Sequence, residues 1–278
     1  MRRVFDEAKL ILIAIPVLIW TLLPIYHLFV LSISNQESML AGKLWPDNPT
    51  LQNFQIVFNQ QHYYLGNFWR QMFNSFFIAI STGLLTLFVA TLAAFAISRL
   101  KVRGGRTMMN LALATYLIPA AFLAIPMYKA MGSYGLLNTQ TALILAMVAL
   151  ASPYAIWVLK QASDKLPQEL DEAAIMDGAT SLQLFRLVYL PLMKPSMVVI
   201  GIYALLLAWN EYLYAFLLLS SEKAVPLAVG LGLFLSADDA PWNLLMAAGL
   251  LYAIPPAVIY YGFRKNMVGG LTAGSVKS

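Results

Sequence analysis

Apolar residues run through the chain in long blocks, and the charges fall between the blocks. Uncharged runs cover Leu10–Gln36, Gln71–Ser98, Thr107–Tyr128, Ala130–Leu159, Pro195–Asn210 and Ala240–Phe263. A helix needs about 20 apolar residues to cross the hydrocarbon core, and all but one of the runs have that length as they stand. The exception, Pro195–Asn210, reaches it if Glu211 lies within the span and the helix continues to Leu219. The pattern predicts an all-α integral membrane protein, a single transmembrane domain over 1–278. Its six transmembrane helices are expected at about 10–31, 72–98, 107–128, 138–160, 195–219 and 243–263.

Composition agrees with the pattern. Hydrophobic residues make up 60% of the 278 and charged residues 11%, against about 25% charged in a soluble domain. The mean hydropathy is +0.70. With six spans, the segments at one face are the N-terminus, Arg99–Arg106, Lys160–Lys194 and the tail after Phe263. They carry 14 of the 18 lysines and arginines, leaving Lys43, Arg70, Lys129 and Lys223 opposite. Positive-inside bias places the first set, with both termini, in the cytoplasm. The net charge of +5 is thus a membrane pattern and gives no reason to expect nucleic acid. The first apolar run is too long for a cleaved signal peptide and ends without a small-x-small site.

The longest cytoplasmic segment, between helices four and five, holds four carboxylates close together: Glu169, Asp171, Glu172 and Asp177. A short helix over 167–178 is expected there. Pro167 suits its first position, the acids suit its opening turns, and Gly178 can take the left-handed conformation that ends it. Thr180 or Ser181 can then cap a second helix, "SLQLFRLVYLPL", that returns to the membrane at Pro191. From the residues alone the first helix is either a solvated loop helix with ordinary capping charges or a docking knob for a basic partner.

The spacing around it resembles the motif of binding-protein-dependent ABC importer permeases. Glu172-Ala173-Ala174 is followed after three residues by Gly178, after nine more by Val188, and then by Leu190-Pro191. The motif usually has isoleucine at the place of Val188. "LLLAWNEYLYAFLLLSS" and the tail "NMVGGLTAGSVKS" resemble the carbohydrate branch, the maltose-type second permease. The likeness runs from helix two to the C-terminus, and "LWPDNPTLQNFQIVF" resembles the small external segment before helix two. The resemblance implies a subunit of the bacterial inner membrane that imports a sugar or oligosaccharide by alternating access. It implies three partners: a homologous permease, an extracytoplasmic solute-binding protein, and a dimer of ATP-binding cassette ATPases that alone binds ATP and Mg. In that family the 167–178 stretch is the coupling helix, with Glu172, Ala173, Ala174, Asp177 and Gly178 at the ATPase. The loop Ser220–Trp242, with "LSADDAP" at its tip, resembles the family's loop toward the binding protein. The tail from Gly269 resembles one that lies along the ATPases.

Enzymatic chemistry is not expected from this chain. It has no Walker-type loop, so no ATP site of its own. "KVRGGR" (Lys101–Arg106) reads as a tight basic turn. There is no cysteine, and His27 and His62 lack metal-ligand spacing, so no metal or catalytic residue is assigned. The spans hold no paired acids for a proton relay. Other readings are a permease for a non-sugar solute such as glycerol phosphate, a self-sufficient channel or carrier, and a membrane scaffold. Pro119, Pro126, Pro153, Pro255 and Pro256 are expected kinks, and Ala90, Ala93, Ala94 and Ala96 helix-packing positions.

Glu211 is the one ionisable residue that the six spans place inside the membrane. Trp209, Asn210, Glu211 and Tyr212 form a possible substrate pathway, with amide or carboxylate bonding sugar hydroxyls and an aromatic ring offering its face. Equally open is a structural role, Glu211 bonding backbone freed near a helix break or a polar group of the partner permease.

Overall fold

The computed structural model describes residues 2–236 and 240–272, and its regular structure there is helical throughout. Five helices are long and apolar enough to cross a membrane, six if one sharply bent pair counts as a span. The chain forms two compact units. One comprises 1–68 and 230–255, the other 69–229 and 256–278.

In the first unit, α1 (Arg2–Ser32) carries an apolar stretch over 10–26 that is exposed on every side, and its last turn is buried at Val30 and Ser32. Two short helices follow, α2 (Gln36–Leu40) and α3 (Gln52–Phe58). Buried Asn53 ties α3 to the end of α1 and to Asn243. Its amide donates to the carbonyls of Ser32 and Ser34, both at 2.8 Å, and its oxygen accepts from Asn243 at 3.0 Å. Phe234, fully buried, packs on the rings of His62 and Tyr64. The segment preceding helix two is therefore folded around a polar clasp. Ala237, Asp238 and Asp239, the expected tip of the last external loop, lie outside the described residues, as do 273–278 of the tail.

The second unit contains α4 (Phe68–Ser98, entering it at Trp69), α5 (Gly105–Ala114), α6 (Ala120–Ser133), α7 (Gln140–Asp164), α8 (Glu169–Met176), α9 (Ser181–Gln183), α10 (Leu190–Trp209) and α11 (Leu213–Leu218). α12 (Leu227–Gly232) and α13 (Trp242–Thr272) begin in one unit and end in the other. Ala90 and Ala94 are fully buried beside Phe95, Leu159, Tyr189 and Met193, which accords with their reading as packing positions. α4 and α10 approach closely at two glycines: a Cβ on Gly83 would lie 3.4 Å from the carbonyl oxygen of Gly201. Small residues give membrane helices their dispersion contacts in this way.

Two expected spans are not single helices. The third, 107–128, is α5, a 3-10 turn over Thr115–Leu117 and α6, bent by 109°. Pro119 causes it: lacking an N–H and biasing Ile118 to extended backbone (ψ 120°), it stops one helix and stands at the N-cap of the next. Pro126 and Pro153, by contrast, are carried inside α6 and α7. The fifth, 195–219, breaks after Trp209 and resumes at Leu213. Pro191 does not mark a new start. The chain is helical from Ser181 to Trp209, with a π-helical stretch over Leu184–Tyr189 just before the proline. Pro191 cannot donate to the carbonyl of Leu187, and the wider turn accommodates the missing bond.

Candidate docking and pathway sites

The first candidate is α8. It spans Glu169–Met176, so Pro167 lies just before the N-cap Gln168 rather than in the first turn. Gly178 has φ +81°. Its N–H donates to Ile175 O at 2.9 Å and that of Ala179 to Ala174 O at 2.9 Å, the paired bonds of a Schellman end. A Cβ at Gly178 would meet nothing within 4 Å, so the preference for glycine there is conformational rather than steric. Thr180, not Ser181, caps the next helix. Its hydroxyl accepts from the N–H of Gln183 at 3.3 Å, while the Gln183 side chain accepts from the N–H of Thr180 at 2.8 Å.

The four carboxylates divide. Asp171 turns inward to Arg99, at 2.8 Å, with side-chain exposures of 15% and 5%. The same guanidinium donates to Leu166 O at 3.3 Å. Glu169, Glu172 and Asp177 stay exposed. The two alanines divide as well: Ala173 is exposed, while Ala174 packs on the core of Phe95, Leu184 and Tyr189. The outer face of the knob therefore combines Glu172, Ala173 and Asp177 with Ile175 and Met176, the last 88% exposed. Nothing in the sequence had singled out Arg99 as the inward partner, because it is one of several basic residues in a turn far from Asp171 in the chain. Beneath it, Ser98 and Ser163 join α4 to α7 through a 2.6 Å hydroxyl pair, and Lys160 pairs with Asp164.

The second candidate is the break at 210–212. Trp209 does not offer a ring face: it is 1% exposed and meets Phe76 edge-to-face, centroids 4.9 Å apart. Asn210 is exposed and its amide donates to Leu206 O at 3.0 Å. Glu211 accepts from the N–H of Tyr214 at 2.8 Å, filling an orphan donor at the start of α11. Tyr212 stacks on Phe216. Tyr214 donates its hydroxyl to Ala120 O at 2.7 Å, so the two broken spans are bonded to each other. Asn210 and Glu211 line a cavity of about 490 Å³ together with Tyr203, Leu206, Ile202 and Tyr260. The structure thus places Asn210 and Glu211 at one cavity, and Trp209 away from it. Among the described residues no group of three His, Asp or Glu gathers as for a metal ion.

Residues 86–271 match the family described as "Binding-protein-dependent transport system inner membrane component". The chain belongs to that family. The permease is 32% identical over 262 residues to the inner membrane ABC transporter permease protein YcjP of Escherichia coli (strain K12), covering 94% of this chain and 92% of that one. It is 30% identical over 276 residues to the trehalose/maltose transport system permease protein MalG of Thermococcus litoralis, covering 99% and 98%. Among solved structures, it matches a chain of a bacterial ABC transporter that imports the acidic polysaccharide alginate, with TM-score 0.78, 25% identity and coverage of 95% and 96%. This permease is accordingly a multi-pass inner membrane component of a binding-protein-dependent ABC transporter, and the matched stretch contains both α8 and the 210–212 break.

Proposed function

We propose that this permease forms half of the translocation pathway of an ATP-driven saccharide importer, paired with a homologous permease. An extracytoplasmic solute-binding protein delivers the sugar, and a dimer of cytoplasmic ATPases binds ATP and Mg and does the hydrolysis. Both termini and α8 face the cytoplasm. The observation that carries this reading is the outer face of α8: two free carboxylates and a small residue beside exposed Ile175 and Met176, held out by a left-handed Gly178. Exposed apolar side chains rimmed by charge mark a protein contact, and the carboxylates select a basic groove. ATP-driven closure of the ATPases moves α8, and the pathway alternates between inward-open and outward-open.

The saccharide reading draws support from the relatives, whose names include trehalose/maltose, trehalose and arabinooligosaccharide systems. These names favour the saccharide reading over the glycerol phosphate alternative. Reconstituting the permease with its partner subunits and binding protein in proteoliposomes tests it. ATP-dependent accumulation of at least one of maltose, trehalose or an arabino-oligosaccharide is expected. Uptake without an ATPase subunit, or uptake of glycerol phosphate in place of every sugar, would overturn the reading.

A further inference from the structure

Three tyrosines from three segments converge within the expected spans. Tyr154 stands ten residues before the end of α7, about 15 Å from it at 1.5 Å per residue. Tyr203 is well inside α10, and Tyr116 lies in the 3-10 turn of the bent pair. The Tyr116 hydroxyl donates to Leu150 O at 2.5 Å and is 3.5 Å from the Tyr203 hydroxyl. The Tyr154 and Tyr203 rings are 4.9 Å apart. Tyr116 is 49% exposed and Tyr154 38%. Irregular backbone at membrane depth is tolerated only where protein or a water-filled cavity surrounds it. Tyr116 sits on such a break, and Tyr203 lines the cavity of Asn210 and Glu211 at the other.

We infer that Tyr116, Tyr154 and Tyr203, with Asn210 and Glu211, form a strip along which a neutral saccharide moves. This rests on the saccharide reading above. Each part matches one side of a sugar. The ring faces take the C–H surface of a pyranose, while phenol hydroxyls, the Asn210 amide and the Glu211 carboxylate bond its hydroxyl groups. The apolar walls, Ile202 and Leu206, add area without directionality. A hydrocarbon tail fits the site badly, because a carboxylate against lipid is costly. Charge narrows the substrate further. Among the described residues lining this cavity, Glu211 is the one carboxylate and there is no lysine or arginine. An anionic sugar or a phosphate ester would meet repulsion and no counter-ion.

The chain has no cysteine, so Tyr154→Cys and Tyr203→Cys each introduce its one thiol. In proteoliposomes carrying the complete transporter, each is treated with a membrane-impermeant maleimide applied to both faces. The probe is whichever of maltose, trehalose and arabino-oligosaccharide the wild-type complex accumulates, added with the binding protein and ATP. Both thiols are expected to react before denaturation, and the transported sugar to slow the reaction where an alginate oligosaccharide does not. Reaction only after denaturation, or no protection by the transported sugar, overturns the strip. Equal protection by alginate oligosaccharide overturns its preference for neutral sugars. Tyr203→Ala and Tyr203→Phe provide an independent readout. Loss of the ring should lower uptake roughly threefold to tenfold, the scale of one aromatic contact, with Tyr203→Phe nearer wild type. Equal uptake by both variants and wild type contradicts the strip. If the wild-type complex accumulates no saccharide at all, the saccharide reading fails, whereas saccharide uptake without protection at the tyrosines sinks the strip alone.

Discussion

The α8 knob and the 210–212 break are both short polar interruptions in an oily chain, yet their carboxylates do different work. At α8, one acid is folded inward onto Arg99 and holds the knob to the body, while Glu172 and Asp177 remain free to meet something outside the chain. At the break, the single acid is already bonded to the chain's own backbone at Tyr214 and also borders a cavity. The difference teaches that a charge in a membrane protein can be read only with its partner in view. A carboxylate oxygen with an internal partner positions an element, and an oxygen left without one is available for recognition.

The largest expected effect comes from breaking the inward pair. Asp171→Ala leaves the Arg99 guanidinium, 5% exposed, without its counter-ion, and should destabilise the permease by about 3–5 kcal/mol. Thermal unfolding of the purified protein reads this as a lowered midpoint. Replacing both partners, Arg99→Met with Asp171→Leu, should recover most of the loss, since an apolar pair of similar volume stands in well for a buried ion pair. A midpoint unmoved by Asp171→Ala would place Asp171 with the outward acids.

Gly178→Val is next. A β-branched residue at φ +81° strains the left-handed turn by about 1–2 kcal/mol and should loosen the end of α8 while the transmembrane helices remain assembled. Proteolytic nicking between α8 and α9 in the variant, and not in wild type, is the expected result. The smallest effect is expected at the break. Glu211→Ala removes the acceptor for the Tyr214 N–H and should cost about 1 kcal/mol, as loss of a helix-capping group does. Glu211→Gln keeps an acceptor oxygen and should restore the midpoint. If Glu211→Gln destabilises as much as Glu211→Ala, the charge itself is needed there.

These contrasts follow what a sequence can carry. The α8 end was legible because its determinants are local: Gly178 must be left-handed, and Thr180 and Gln183 close a capping box within four residues. The apolar runs likewise announced long apolar helices, since length and composition are enough. Contacts between distant residues were not legible. Nothing near Arg99 points to Asp171, nothing near Asn53 announces that it bonds Ser32, Ser34 and Asn243, and Trp209 looked as available as Tyr212 until its ring was seen against Phe76. The breaks lay between these extremes. Pro119 was visible as an interruption, but a 109° bend rather than a kink depends on the neighbours that receive the freed backbone, among them the Tyr214 hydroxyl on Ala120. At 210–212 the polar residues were visible and a nearby helix break was one open reading, but the place of the break was not marked, since neither glycine nor proline stands there.

The central claim is that the outer face of α8 holds an ATPase through its free carboxylates. Its most direct test is affinity purification of the tagged Glu172→Lys/Asp177→Lys permease from membranes expressing the whole transporter. Both substitutions are at exposed positions, so folding and recovery of the partner permease should match wild type. The account predicts that the ATPase is lost from the purified complex, and with it ATP-driven uptake. Recovery of the ATPase at the wild-type ratio, with both charges reversed, would contradict it.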